Sequence, residues 1–255
     1  MKSFTLITGA TSGIGLELAR IAAREKRNLV LVARSEKDLK TVAKELGAPG
    51  NVVEVFAIDL SKAGAAQKVC NFCTKKKLVV AELVNNAGFG DYGGFADSDL
   101  NRQVAMINLN VSAITELTRL FLPAMRTLKA GKILNLGSVA SFFPGPSMSV
   151  YFATKNYVLS FSRALSEELR GSSVTVTCLC PGATKTGFGK SAHVSATHST
   201  ANPKTTAREV AEFGWYQMQS GEPVAIYGAS NRVMLQLAKL VPRNLLPRFV
   251  KVFQK

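Results

Sequence analysis

Short β-branched and apolar runs alternate with helical patterns along the whole chain, and this alternation restricts the fold more than any other feature of the sequence. The runs are Phe4 to Ile7, Leu29 to Val32, Val52 to Ile58, Glu82 to Val84, Lys132 to Leu136, Val174 to Leu179 and Pro223 to Ile226. Helical periodicity covers residues 14–26, 35–46, 62–76, 98–129, 149–170 and 206–219. A strand, a helix and a second strand in succession join parallel neighbours through a right-handed crossover. The expected fold is therefore α/β: one seven-stranded, doubly wound parallel sheet with helices on both faces. In such sheets ligands bind beyond the strand carboxyl ends, where the winding direction reverses. Residues at those ends are the ones to read for chemistry.

Composition narrows the class. The 255 residues are 47% apolar, enough for one sizeable core in one domain. The amino terminus enters its first strand without a long apolar leader, and no uninterrupted apolar stretch reaches bilayer length, so a cytoplasmic protein that does not span a membrane is expected. Lysine and arginine outnumber the acids 32 to 17, for a net charge of +15. The charge is spread along the chain without a nucleic-acid-binding signature, which argues against a nucleic-acid partner. Cys70 and Cys73 form a C-x-x-C, and Cys178 and Cys180 alternate in an apolar strand. With no further ligands beside either pair, all four read as small core residues, and no metal site is expected.

The first strand runs into Thr8-Gly9-Ala10-Thr11-Ser12-Gly13-Ile14-Gly15, with a helix following at once. Gly9 permits a tight turn, Gly13 admits a ligand against the backbone, and Gly15 lets helix and strand pack closely. The exposed N–H groups and the helix dipole favour an anion such as a dinucleotide pyrophosphate, as in the Rossmann arrangement. Where an NAD-selective protein would carry an Asp or Glu at the end of the second strand, this chain has Ala33-Arg34. Arg34 suits a 2′-phosphate, with Thr11 or Ser12 as hydroxyl donors nearby, so NADP(H) is favoured over NAD(H). Asp59-Leu60 ends the third strand and Asn85-Asn86-Ala87-Gly88 the fourth, at the edge where adenine and its ribose would lie.

Tyr151 and Lys155 stand at i and i+4 in a helical Y-x-x-x-K, so their side chains can meet. An ammonium beside a phenol favours the phenolate, and Lys155 would thereby tune Tyr151 for proton transfer. Ser138, at the end of the fifth strand, can hold the same substrate oxygen. Taken together, T-G-x-x-x-G-x-G, N-N-A-G, the Ser, Y-x-x-x-K and the later Pro181-Gly182 resemble the short-chain dehydrogenase/reductase family, over roughly residues 3–230. The resemblance implies a catalytic tetrad of Asn110, Ser138, Tyr151 and Lys155, with a helical kink and a water-linked proton relay at Asn110. It implies cofactor contacts from Lys155 and Tyr151 and from the segment holding Pro181, Gly182, Thr184 and Thr186. The activity expected is hydride transfer between NADP(H) and a ketone, aldehyde or secondary alcohol. A 3-oxoacyl reductase is the enzyme alternative, and a non-catalytic dinucleotide sensor or scaffold the alternative of another class.

Gly182 to Pro203 reads as a long flexible loop over the substrate, and its His193 and His198 as solvated, with no carboxylate near them in sequence. Residues 1–230 are expected to form the catalytic domain and residues 231–255 a basic helical extension of it. After Glu222 there is no acid, while Arg232, Lys239, Arg243, Arg248, Lys251 and Lys255 accumulate. Val233, Met234, Leu237, Leu240 and Val241 read as one helical stripe, and Leu245, Leu246, Phe249, Val250 and Phe253 as another beyond Pro242. These stripes suit packing over the cleft, a subunit interface or peripheral contact with an anionic membrane. By resemblance, a homodimer or homotetramer through the helices at 98–129 and 149–170 is expected.

Overall fold

The computed structural model describes residues 2–194 and 203–253. His198, the Phe253 side chain and Lys255 lie outside the described residues and side chains. The strands are β1 (Ser3–Thr8), β2 (Asn28–Ala33), β3 (Val53–Ala57), β4 (Val79–Asn85), β5 (Gly131–Leu136), β6 (Val174–Cys180), β7 (Thr184–Lys185), β8 (Thr205–Thr206) and β9 (Val224–Ile226). The helices are α1 (Gly13–Arg24), α2 (Glu36–Leu46), α3 (Ala65–Lys75), α4 (Leu100–Ile107), α5 (Ala113–Thr127), α6 (Ser149–Glu168), α7 (Phe188–Ser191), α8 (Ala207–Ser220), α9 (Ala229–Ala238) and α10 (Leu246–Phe253).

As the alternation predicts, seven strands form one parallel sheet; their order is β3-β2-β1-β4-β5-β6-β9. Winding reverses between β1 and β4, so the crevice opens above the glycine loop that leaves β1 and the Asn86 turn that leaves β4. Side chains alternate along each strand, and the two faces bury separate cores. Leu6, Val30 and Leu83 pack with residues of α3 and α5 on one face. Ile7, Leu29 and Leu31 pack with α1, α2 and α8 on the other.

Two sequence expectations change. The helix anticipated over 98–129 divides into α4 and α5, joined by a π-helical turn at Asn108–Ser112. The π-helical turn carries Asn110, at the place where the resemblance implies a kink. The described part of the loop anticipated from Gly182 contains regular elements. β7 pairs with β8, and the short helix α7 lies between them in the chain. These strands are two residues long, too short to leave a periodic signal. Among the described residues, no helix is long and apolar enough to cross a membrane, and no cluster of three His, Cys, Asp or Glu side chains could hold a metal ion. Cys73, Cys178 and Cys180 are buried, Cys70 is half-buried, and all four are free thiols.

Candidate active site

One cavity of about 1420 Å³ runs along the carboxyl edge of the sheet. That volume exceeds an ordinary small-molecule pocket and suits two ligands end to end. Its first arm is made of backbone. Gly9 and Gly13 adopt positive φ (66° and 56°), which Gly alone adopts without strain. At Gly15 a Cβ would lie 2.3 Å from Asn86 Nδ2 and 2.4 Å from the Gly9 carbonyl, so that glycine allows close packing rather than ligand approach. Gly9, Thr11, Ser12, Gly13 and Ile14 line the cavity, whereas Gly15 sits behind it. Ser12 precedes α1 in an extended conformation without capping the helix through its side chain, and no acid stands in the first turn. The hydroxyl and the first N–H groups are thus free for an anion.

The turn after β4 is fastened to this loop. Asn86 Nδ2 donates to the carbonyls of Thr8 (2.9 Å) and Gly9 (3.2 Å), and the N–H groups of Asn86 and Ala87 both donate to Thr8 Oγ1 at 3.0 Å. Asn86, Ala87 and Gly88 line the cavity, as do Asp59 and Leu60. Asp59 Oδ1 accepts from the N–H and hydroxyl of Ser61. Burial pushes the Asp59 carboxyl up, but those bonds and the charges of Arg34 and Lys62 outweigh it and hold the group below the usual carboxylate range. Arg34 is exposed at the far end of this arm, beside the Ser35 that caps α2.

At the other arm, Ser138, Tyr151 and Lys155 converge. Ser138 caps a short 3-10 turn, its Oγ accepting from Ala140 N–H at 3.1 Å. The phenol of Tyr151 faces the Ser138 hydroxyl, whose influence favours its ionised form. Lys155 Nζ lies 5.9 Å from the centre of the Tyr151 ring and donates to the Leu136 carbonyl at 2.7 Å. The expectation that the ammonium lowers the phenol is not met. Burial prevails over the Ser138 hydroxyl and pushes Tyr151 up to about 12. The same burial holds Lys155 down to about 8. The phenol keeps its proton at neutral pH, as an ordinary tyrosine does, and can give it up to an oxygen that gains negative charge.

Asn110 is fully buried and does not line the cavity. Its Nδ2 donates to the Phe89 carbonyl (2.9 Å) and to Thr154 Oγ1 (3.1 Å), and its Oδ1 accepts from Phe89 N–H. It ties the turn after β4 to α6, the helix that carries Tyr151 and Lys155. Pro181, Gly182, Thr184 and Thr186 line the cavity, and the Thr186 side chain approaches Gly13 from above. Phe188 of α7 packs on Tyr151 with ring centres 5.2 Å apart.

The sequence reading missed a polar cluster at the rim. Asp91 accepts from Arg102 Nε (2.8 Å) and Gln103 Nε2 (2.8 Å), and its Oδ1 lies 3.0 Å from His193 Nδ1. Arg102 also donates to the carbonyls of Gly90 and Ser191. His193, expected to be solvated without a carboxylate nearby, is thus exposed but joined to Asp91, which is distant in sequence and reaches it only by folding. The only signal available was a charged pair, Asp91 and Arg102, on either side of the turn that starts α4.

Comparison with known proteins agrees with this geometry. The family model described as short chain dehydrogenase matches residues 3–195. The ketoacyl reductase HetN of Nostoc is 31% identical over 208 residues, covering 80% of this chain and 72% of that protein. A very-long-chain 3-oxoacyl-CoA reductase of Mycosarcoma maydis is 35% identical over 181 residues, 69% of this chain, but the match spans only 52% of that longer protein. A solved short-chain dehydrogenase from Sphingobium yanoikuyae, in complex with NADPH, superimposes with a TM-score of 0.82 at 31% identity over 93% of this chain and 94% of that one. With the parallel sheet, the glycine loop at its switch point and the Ser138, Tyr151 and Lys155 cluster in place, the chain belongs to the short-chain dehydrogenase/reductase family of oxidoreductases.

Proposed function

We propose that the protein is an NADP(H)-dependent reductase of an apolar ketone or aldehyde, with Tyr151 giving the proton to the substrate oxygen. The observation that carries the reading is the convergence of Ser138, Tyr151 and Lys155 on one large cavity, with Lys155 Nζ 5.9 Å from the centre of the Tyr151 ring. The residues present fit a nicotinamide dinucleotide: glycine turns at positive φ lining the cavity, an uncapped helix start with a free hydroxyl, and a cation at the far end. A bound cofactor of this class supplies the hydride. Gly9, Thr11, Ser12, Gly13 and Ile14 would hold its pyrophosphate, Arg34 its 2′-phosphate, Asp59, Leu60 and Asn86 to Gly88 its adenosine side, and Pro181 to Thr186 its nicotinamide side. Ser138 orients the substrate oxygen, Lys155 places its charge beside the phenol and would hold the nicotinamide ribose, and Asn110 positions α6 through Thr154 and Phe89.

The substrate arm supports an apolar substrate. Phe143, Met148, Phe152, Phe188, Met234 and Val250 line it. This also favours a second reading, a 3-oxoacyl reductase, which agrees with the activity named for HetN. Residues 1–230 form the catalytic unit in this reading, and the extension over residues 231–255 helps to close its substrate arm through Asn231, Met234, Phe249 and Val250. A second copy of the chain would fit the exposed stripe Leu100, Val104 and Ile107 on α4.

The test is NADPH and NADH consumption over a panel of short, long-chain, cyclic and 3-oxoacyl carbonyls, with Tyr151→Phe as control. NADPH-dependent turnover that falls at least about 100-fold in the variant, with cofactor binding retained, is expected. Cofactor binding without turnover of any carbonyl would instead support the sensor, and would overturn the reading.

A further inference from the structure

Helix α9 is apolar on two sides. Leu235 and Ala238 are buried and Met234 lines the cavity, which fastens the helix to the catalytic body. Val233, Leu237 and Leu240 recur at i, i+4 and i+7, and are 59%, 59% and 81% exposed. The single stripe read from the sequence is therefore divided, with Met234 turned inward, Val241 half-buried and Val233, Leu237 and Leu240 outward. Leu245, before α10, is also exposed. Apolar side chains scattered singly on a surface are ordinary, but four along one short segment mark a contact face. Arg232, Lys239, Arg243, Arg248 and Lys251, all exposed, accompany them, and the chain carries no acid beyond Glu222.

Charge decides what covers this face. A second copy across a two-fold axis would set the same cations against each other with no local acid to pair them. An anionic bilayer accepts both components: leucines enter the acyl boundary, while lysine and arginine stems lie along apolar surface and their heads reach the lipid phosphates. We propose that α9 and α10 dock the protein on an anionic phospholipid surface. Met234 of α9 and Val250 of α10 line the cavity from behind. The docked helices are thus also the wall of the substrate arm, and an apolar molecule leaving the bilayer would meet the cavity there. The docking itself does not depend on which cofactor or carbonyl the enzyme uses.

The experiment is co-sedimentation of the full chain with phosphatidylcholine vesicles, with and without phosphatidylglycerol. Sedimentation with the anionic vesicles only, weakening as salt is raised, is expected. Two variants remove the components separately. Lys239→Gln/Arg243→Gln/Arg248→Gln should lower partitioning about fivefold per cation, on the order of a hundredfold in all. Leu237→Ser/Leu240→Ser should lower it by a comparable factor. Both should melt like the parent chain, because every altered side chain is exposed. Equal sedimentation with neutral vesicles, none with either kind, or full binding by either variant overturns the proposal. So does conversion of a dimer to a monomer in the leucine variant, which would assign the stripe to a contact between copies.

Discussion

The two arms of the cavity are built from different parts of the chain. The arm over β1 and β4 is made of backbone: glycine turns, helix N–H groups and carbonyls that Asn86 ties together. The arm over Tyr151 is closed by side chains from α6, α7, α9 and α10, among them Phe188, Met234 and Val250. Backbone in a tight turn cannot yield to an added atom, whereas a side-chain wall changes shape when one residue is exchanged. The first arm should therefore tolerate almost nothing, and the second should trade substrates without loss of the fold.

The largest expected effect tests the rigid arm. In Gly15→Ala the new methyl group meets Asn86 Nδ2 and the Gly9 carbonyl at less than 2.5 Å. We expect loss of measurable NADPH binding by fluorescence titration and a stability loss of about 1–3 kcal/mol in thermal denaturation. Gly189→Ala, in α7, meets nothing within 4 Å and should change neither. If both variants bind NADPH normally, the contrast between the arms fails.

Arg34→Asp comes next. It replaces a cation at the end of the rigid arm by an anion while leaving the glycine turns intact. Its NADPH affinity should fall about 10- to 100-fold, the worth of a charged hydrogen bond, with a much smaller change for NADH. Equal loss for both cofactors would remove Arg34 from phosphate recognition.

The side-chain arm is probed by Met234→Ala. Shortening a half-buried wall residue should raise KM for a long-chain ketone about tenfold and leave that of a short ketone unchanged, since about 1–3 kcal/mol is the usual worth of a small change in an apolar pocket. An equal rise for both would place Met234 outside the substrate path.

The same contrast explains what was legible in the sequence. Glycine turns are read from residue type because only Gly fits the backbone, and Tyr151 and Lys155 are read from their spacing because a helix aligns i and i+4. The seven sheet strands were legible because buried runs repeat at regular intervals. The rim cluster was not, because Asp91 and His193 are 102 residues apart and share no local pattern. The outward turn of Leu237 was equally hidden: α9 carries apolar residues on two sides, and periodicity alone cannot say which side meets the core. The surroundings of the Tyr151 phenol were hidden for another reason. Local spacing reports Lys155, but only the folded structure reports the burial that pushes the phenol up.

That burial has a consequence for stability, small enough to need a matched control. Lys155 is lowered from its ordinary value to about 8, so between there and the unfolded value near 10.5 the unfolded chain binds more protons than the folded one. Stability must then rise with pH through that window, and the cost of burying the ammonium is present in full below it. Tyr151, raised to about 12, acts in the opposite sense but only above its unfolded value near 10. Between about pH 7.5 and 9 the lysine should therefore contribute a gain of about 1 kcal/mol, or roughly 2–4 °C in Tm for a chain of this size. Lys155→Met lacks the titrating group, so the difference in Tm between parent and variant should shift in favour of the parent by that amount as pH rises. A difference that stays flat across the window would mean that the ammonium is not disfavoured by burial, and would return Lys155 to the role of a charge that lowers the phenol.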